Sequence, residues 1–87
     1  MRIVFLGTGD IGVPSLRALV AANEVVGVFT QPDRAAGRKL ALRPSPIKVA
    51  ALELGLPVYQ PVKIRAGEGM DVLQALQPEI IVVIAYG

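Results

Sequence analysis

Three stretches of this sequence carry residues whose types and spacing can do chemistry. Gly7-Thr8-Gly9-Asp10-Ile11-Gly12 fits the pattern G-x-G-x-x-G. After a strand and before a helix, that pattern lets a backbone turn tightly and approach a pyrophosphate at the helix N-terminus. Asp33 falls about 20 residues further on, where a ribose-binding acid is wanted. Thr30 and Gln31, however, occupy the tip of the second strand, and Asp10 would set a carboxylate beside the anion. The same residues also read as a strand-to-helix turn eased by glycine with Asp10 as a local cap, or as a loop lining some other ligand. The second stretch holds Arg34, Arg38, Lys39, Arg43 and Lys48, five of the nine basic residues, with no acid from Arg34 through Leu52. Cations gathered on one loop suit phosphate contacts, which position a nucleic acid without reading its sequence. No aromatic residue is interleaved to stack on bases, and a solvated surface loop has the same composition. The third stretch is Tyr86-Gly87, at the end of the last strand. In open α/β sheets ligands sit beyond strand C-termini near the switch point, so Gly7, Thr8, Gly9, Tyr86 and Gly87 are the expected lining of a substrate site.

Other chemistries are excluded. The chain has no His and no Cys, so no Ser-His or Cys-His pair and no Cys-ligated metal site exists within it. Nine Lys+Arg against seven Asp+Glu give +2, too little for a general polyanion binder, which makes the basic cluster a local feature. Eighty-seven residues bury roughly 60–65% of their unfolded surface, enough for one core. Hydrophobic residues at 53% and charged residues at 18% exclude disorder. The longest apolar run, Ile80 to Tyr86, is far short of the ~20 residues of a membrane helix, and no signal segment is present, so a cytoplasmic protein with no membrane partner is expected.

The elements that must hold these residues alternate between strand and helix. Ile3-Val4-Phe5-Leu6 is a continuous apolar run closed by Gly7, the mark of a strand buried on both faces. A helix is predicted over Val13 to Ala22, with Pro14 in its first turn, Leu16, Leu19 and Val20 facing inward and Asn23 as its stop. Glu24 to Thr30 is the second strand. Gln31 to Pro44 shows neither periodicity and is predicted to be a long loop, a feature usually functional when it interrupts a compact domain. Ser45-Pro46 then starts a helix with Ile47, Ala50, Ala51 and Leu54 inward and Gly55 at its end. Leu56 to Gln60 is a short third strand. A last helix runs from about Gly69 to Gln77, with Met70, Leu73 and Leu76 as its core positions and Pro78 as its stop. Glu79 to Ala85 is the fourth strand.

This series predicts a Rossmann-like parallel α/β sheet with strand order 3-2-1-4 and flanking helices. That order makes the fourth strand an edge, yet it is the most apolar strand in the chain, where edges normally carry charge or Pro. The expectation is an N-terminal piece of a longer protein or, alternatively, an edge covered by another chain, with edge-strand self-association as one form of that.

Longer runs of residues carry a resemblance. Thr30-Gln31-Pro32-Asp33-Arg34, Ala36-Gly37-Arg38, Pro44-Ser45-Pro46-Ile47-Lys48, Gly55-Leu56-Pro57-Val58-Tyr59-Gln60-Pro61 and Val82-Val83-Ile84-Ala85-Tyr86-Gly87, together with the Arg2 to Thr8 start and Val13-Pro14-Ser15-Leu16, resemble the methionyl-tRNA formyltransferase family along the whole chain. That family usually has Gly-Thr-Pro-Asp where this chain has Gly7-Thr8-Gly9-Asp10, so the resemblance makes the dinucleotide fingerprint accidental. It implies transfer of a formyl group from 10-formyltetrahydrofolate to the amino group of methionyl initiator tRNA. It further implies no metal, and a catalytic domain, of which residues 1–87 are the N-terminal part, followed by a C-terminal tRNA-binding barrel. The family's basic loop meets the acceptor stem. Its arginine falls on Arg38, with Lys39, Arg34 and Arg43 as further tRNA-binding candidates. Its catalytic Asn, His and Asp follow the Ala-Tyr-Gly strand end, so no catalytic residue is expected before Gly87, and the chain alone would be inactive. The rivals are a folate-dependent formyltransferase acting on a sugar nucleotide and a non-enzymatic dinucleotide-binding domain.

Overall fold

A computed structural model describes residues 1–36, 41–62 and 67–87. Strand β1 (Arg2–Gly7) runs through the middle of a parallel sheet, and its apolar run divides by alternation between two faces. Ile3 and Phe5 join a core with Leu16, Val25, Val28, Ile47, Ala50 and Ala51. Val4 and Leu6 join a second core with Phe29 on the other face. Strand β2 (Glu24–Phe29) pairs with β1 on one side. Fully burying a side chain such as Phe5, Leu16 or Ile47 contributes roughly 1.5–3 kcal/mol, so these two layers carry the fold.

Helix α1 (Val13–Ala22) has Pro14 in its first turn and turns Leu16 fully inward, as the spacing predicts. Between β1 and α1 lies one 3-10 turn, Asp10–Gly12. Helix α2 (Pro46–Glu53) begins at the predicted cap, where the Lys48 amide donates to Ser45 Oγ at 3.0 Å. It ends in a Schellman motif. Gly55 takes a left-handed φ of 73°, the Gly55 amide donates to the Leu52 carbonyl, and the Leu56 amide donates to the Ala51 carbonyl. Both α1 and α2 pack on the Phe5 face. Helix α3 (Gly67–Leu76) starts two residues before the predicted Gly69 and packs on the Leu6 face through Val72, Leu73 and Leu76. Val72 takes the role expected of Met70. No helix among the described residues is long and apolar enough to cross a membrane.

The segment Gln31 to Pro44, predicted to lack regular structure, contains two short strands. β3 (Arg34–Ala36) and β4 (Ala41–Arg43) pair antiparallel, with Arg34 opposite Arg43, and form a ribbon separate from the main sheet. Three-residue strands without apolar alternation leave no periodic signal, which is why the sequence hid them. Strands β5 (Val58–Tyr59) and β6 (Ile80–Ile84) complete the parallel sheet in the order β5-β2-β1-β6. This is not literally 3-2-1-4, because the two ribbon strands intervene in the chain. The strands expected third and fourth nevertheless lie beside β2 and β1 respectively. β6 has one neighbour in this sheet and leaves Ile80, Ile81 and Val83 exposed, while Val82 and Ile84 pack inward on the Phe5 face.

Candidate functional site

The C-terminal ends of β1, β2 and β6 converge under the ribbon. The Thr8 and Gly9 amides both donate to the Ala85 carbonyl, at 3.0 and 3.4 Å. Thr8 Oγ1 donates to the Tyr86 carbonyl and accepts the Gln31 amide at 3.3 Å. One threonine hydroxyl therefore ties three strand ends together. Thr30, fully buried, shares a 2.6 Å hydrogen bond with Ser45 Oγ, which joins the end of β2 to the cap of α2.

These ends frame a cleft of about 380 Å³. Its floor is Thr8, Gly9, Ala85 and Gly87, one wall is Gln31 and Pro32, and the other is Pro44, Ser45 and Pro46. Arg34 and Arg43 stand at its rim and are the charged side chains lining it among the described residues. Residues directly opposite on an antiparallel pair project from the same side, so Arg34 and Arg43 share one side of the ribbon despite their like charge. Neither makes an ion pair among the described residues. A cleft with paired cations at its rim suits an anionic ligand. A second hollow, of about 270 Å³, lies between β5 and α3 and is lined, among the described residues, by Phe29, Val58, Tyr59, Gln60, Pro61, Gly69 and Val72, none of them charged.

The expected lining residues divide. Thr8, Gly9 and Gly87 line the cleft. Gly7 is buried beneath it, where a Cβ would come within 2.5 Å of the Phe5 ring and 2.9 Å of the Ile84 carbonyl oxygen. Tyr86 contributes its carbonyl to Thr8, while its side chain packs toward Val4, Leu6 and Phe29. The Tyr86 hydroxyl is buried without a hydrogen-bond partner among the described residues, and burial raises its pKa. Arg34 and Arg43 are brought together at the rim. Arg38 and Lys39 lie outside the described residues.

Asp33 and Lys48 engage each other. Asp33 does not reach toward the glycine turn as a ribose-binding acid would. Its carboxylate takes both 3.1 Å bonds from Lys48 Nζ and one of 2.7 Å from Gln60 Nε2. The Gln60 bond and then the Lys48 ammonium hold its carboxyl below the usual range. Lys48, counted with the basic cluster, is correspondingly engaged by Asp33 and does not stand free beside Arg34 and Arg43. Sequence reasoning missed Gln31, Ser45 and Gln60 as site-shaping residues. A usable signal was present for Asp33, the last acid before a long acid-free span of cations, where a pairing role is the economical reading.

The glycine turn is explained by packing. Gly7 lets β1 and β6 approach, and at Gly12 a Cβ would lie 3.3 Å from both Ile47 and Phe5. Gly9 has ordinary extended backbone, with φ −74° and ψ 162°.

With this geometry in place, the sequence pattern described as formyl transferase matches residues 1–87. The chain is 56% identical over all 87 residues to a methionyl-tRNA formyltransferase of Xylella fastidiosa (strain M23). It is 55% identical to the enzyme of that name from Xanthomonas campestris pv. campestris (strain 8004) and 51% identical to that of Xanthomonas euvesicatoria pv. vesicatoria (strain 85-10). Each match covers the whole of this chain, which spans 28% of the length of each of these relatives.

Proposed function

The chain belongs to the formyl transferase family, and from that premise we propose that it forms the N-terminal part of the catalytic domain of an enzyme that formylates methionyl initiator tRNA. The donor is 10-formyltetrahydrofolate, no metal takes part, and the product is N-formylmethionyl-tRNA for translation initiation in the cytoplasm. The observation that carries the RNA side of this reading is the Arg34–Arg43 rung. Two cations without acid partners among the described residues stand at the rim of a cleft built from strand ends. Phosphates of an acceptor stem would sit against Arg34 and Arg43, with Arg38 and Lys39 contributing from the same segment. The cleft beneath is then where the aminoacyl end enters, over Thr8, Gly9 and Gly87. The residues that polarise the formyl carbonyl and handle the amine proton belong to the part of the enzyme after Gly87, so the 87 residues alone would be inactive. The packing roles of Gly7 and Gly12 support this over dinucleotide binding.

The test is kinetic and uses the intact protein. Arg38→Ala, and separately Arg34→Ala with Arg43→Ala, should raise KM for methionyl initiator tRNA and leave KM for the folate donor unchanged. Every phosphate that a variant no longer neutralises should lower the slope of log affinity against log salt by about 1. Parental tRNA kinetics in both variants would sink the assignment.

A further inference from the structure

Among the described residues the ribbon that bears Arg34 and Arg43 makes no ladder with the main sheet, and a two-stranded ribbon alone is at best marginally stable in water. Its direction must be set at its two feet. The foot after β4 is held by Ser45, which caps α2 and bonds Thr30. The foot before β3 is Asp33, held from both sides. Lys48, one turn into α2, grips both carboxylate oxygens. Gln60, just past β5, donates to Asp33 Oδ1 and, at 3.3 Å, to the Gln31 carbonyl. The ion pair is half-sheltered, with Lys48 and Asp33 side chains 22% and 27% exposed, so solvent screens it less than a surface pair.

We propose that Asp33, Lys48 and Gln60 form a positioning clamp that aims the basic ribbon across the cleft. In this arrangement Lys48 is a structural cation and not a phosphate ligand. Asp33 holds the first strand of the ribbon at the angle that puts Arg34 level with Arg43. Gln60 couples that angle to the end of β5, so three separate elements set the direction of one rung. The proposal rests on the reading of the ribbon as an RNA contact, and none of the three clamp residues lines the cleft itself.

The test uses the intact protein carrying Asp33→Asn, the exchanged pair Asp33→Lys with Lys48→Asp, and Arg34→Ala with Arg43→Ala. Two readouts are taken. Hydrogen exchange without RNA follows the amides of residues 34–36 and 41–43 against those of β1 and β2. Fluorescence anisotropy follows binding of a short RNA duplex with a single-stranded 3′ end. Asp33→Asn should speed exchange in the ribbon but not in β1 or β2, and should weaken RNA binding about tenfold. Its KM for tRNA should rise while kcat at saturating tRNA holds. The exchanged pair should recover both properties. Unchanged ribbon exchange in Asp33→Asn overturns the clamp. Faster exchange with parental RNA affinity, where the arginine variant does lose affinity, overturns the positioning role. Parental RNA affinity in the arginine variant instead overturns the RNA reading on which the proposal rests, so the two failures are distinguishable.

Discussion

Two turns meet at the floor of the cleft, and they use glycine in opposite ways. The turn after β1 holds Gly7, Gly9 and Gly12, yet none of the three has a positive φ. The turn after β6 begins with Ala85, which does, at 50°. The left-handed twist at Ala85 accompanies a carbonyl that accepts the Thr8 and Gly9 amides, which closes the two turns onto each other. In the first turn glycine supplies room, whereas in the second the positive φ falls on Ala85, which carries a side chain, as well as on Gly87. A glycine pattern therefore reports neither dihedral freedom nor phosphate binding until the space around each Cβ is known. Strain at a non-glycine residue is common beside ligand sites, and Ala85 lines the cleft.

Filling the first turn where it is tightest should have the largest effect. In Gly7→Ala the new methyl would meet the Phe5 ring and, less yieldingly, the Ile84 carbonyl oxygen, so β1 and β6 must separate locally. Overpacking of this kind costs about 1–3 kcal/mol, and a denaturant titration of the intact protein should show the midpoint fall accordingly. A midpoint equal to the parent's would mean that the close approach of these strands is not needed. The converse change at the other turn should help. Ala85→Gly removes the left-handed penalty of roughly 1–2 kcal/mol, part of which is offset by the added freedom of the unfolded chain, for a net gain of about 1 kcal/mol. A loss of stability would show that the Ala85 methyl has a packing role larger than its strain.

The same contrast explains what was legible in the sequence. Continuous apolar strands, the Ser45-Pro46 cap and the Gly55 stop are local signals of strong period or strict chemistry, and the sheet, α1 and α2 stand where those signals put them. The ribbon was not legible, because β3 and β4, at three residues each, are too short to establish an alternation. The composition of the site could be read, since Arg34 and Arg43 announce themselves as a charge cluster. The arrangement could not, since the partners of Asp33 lie far away along the chain at Lys48 and Gln60 and meet it only after the sheet assembles. Likewise the position of Tyr86 at a strand end points to the cleft, whereas the left-handed φ at Ala85 breaks the alternation of β6, and the Tyr86 side chain packs on the Leu6 face and not on the Phe5 face of Val82 and Ile84.

The smallest effect falls on the glycine that looked most functional. Gly9 is the middle glycine of the apparent fingerprint, the one that would let a backbone approach a pyrophosphate closely. Its φ and ψ suit any L-residue, and among the described residues an added Cβ would meet only the Ala85 methyl at 3.9 Å, an ordinary contact. Gly9→Ala should therefore leave the turn in place and narrow the unfolded ensemble, raising stability by about 0.4–1 kcal/mol. Measured beside Gly7→Ala, it splits one motif into a position that demands glycine and one that does not. If Gly9→Ala instead destabilised the protein, the turn would have to sit closer to β6 than Thr8 and Ala85 place it. If it kept stability but blocked donor or tRNA binding, Gly9 would owe its identity to the ligand in the cleft and not to the fold.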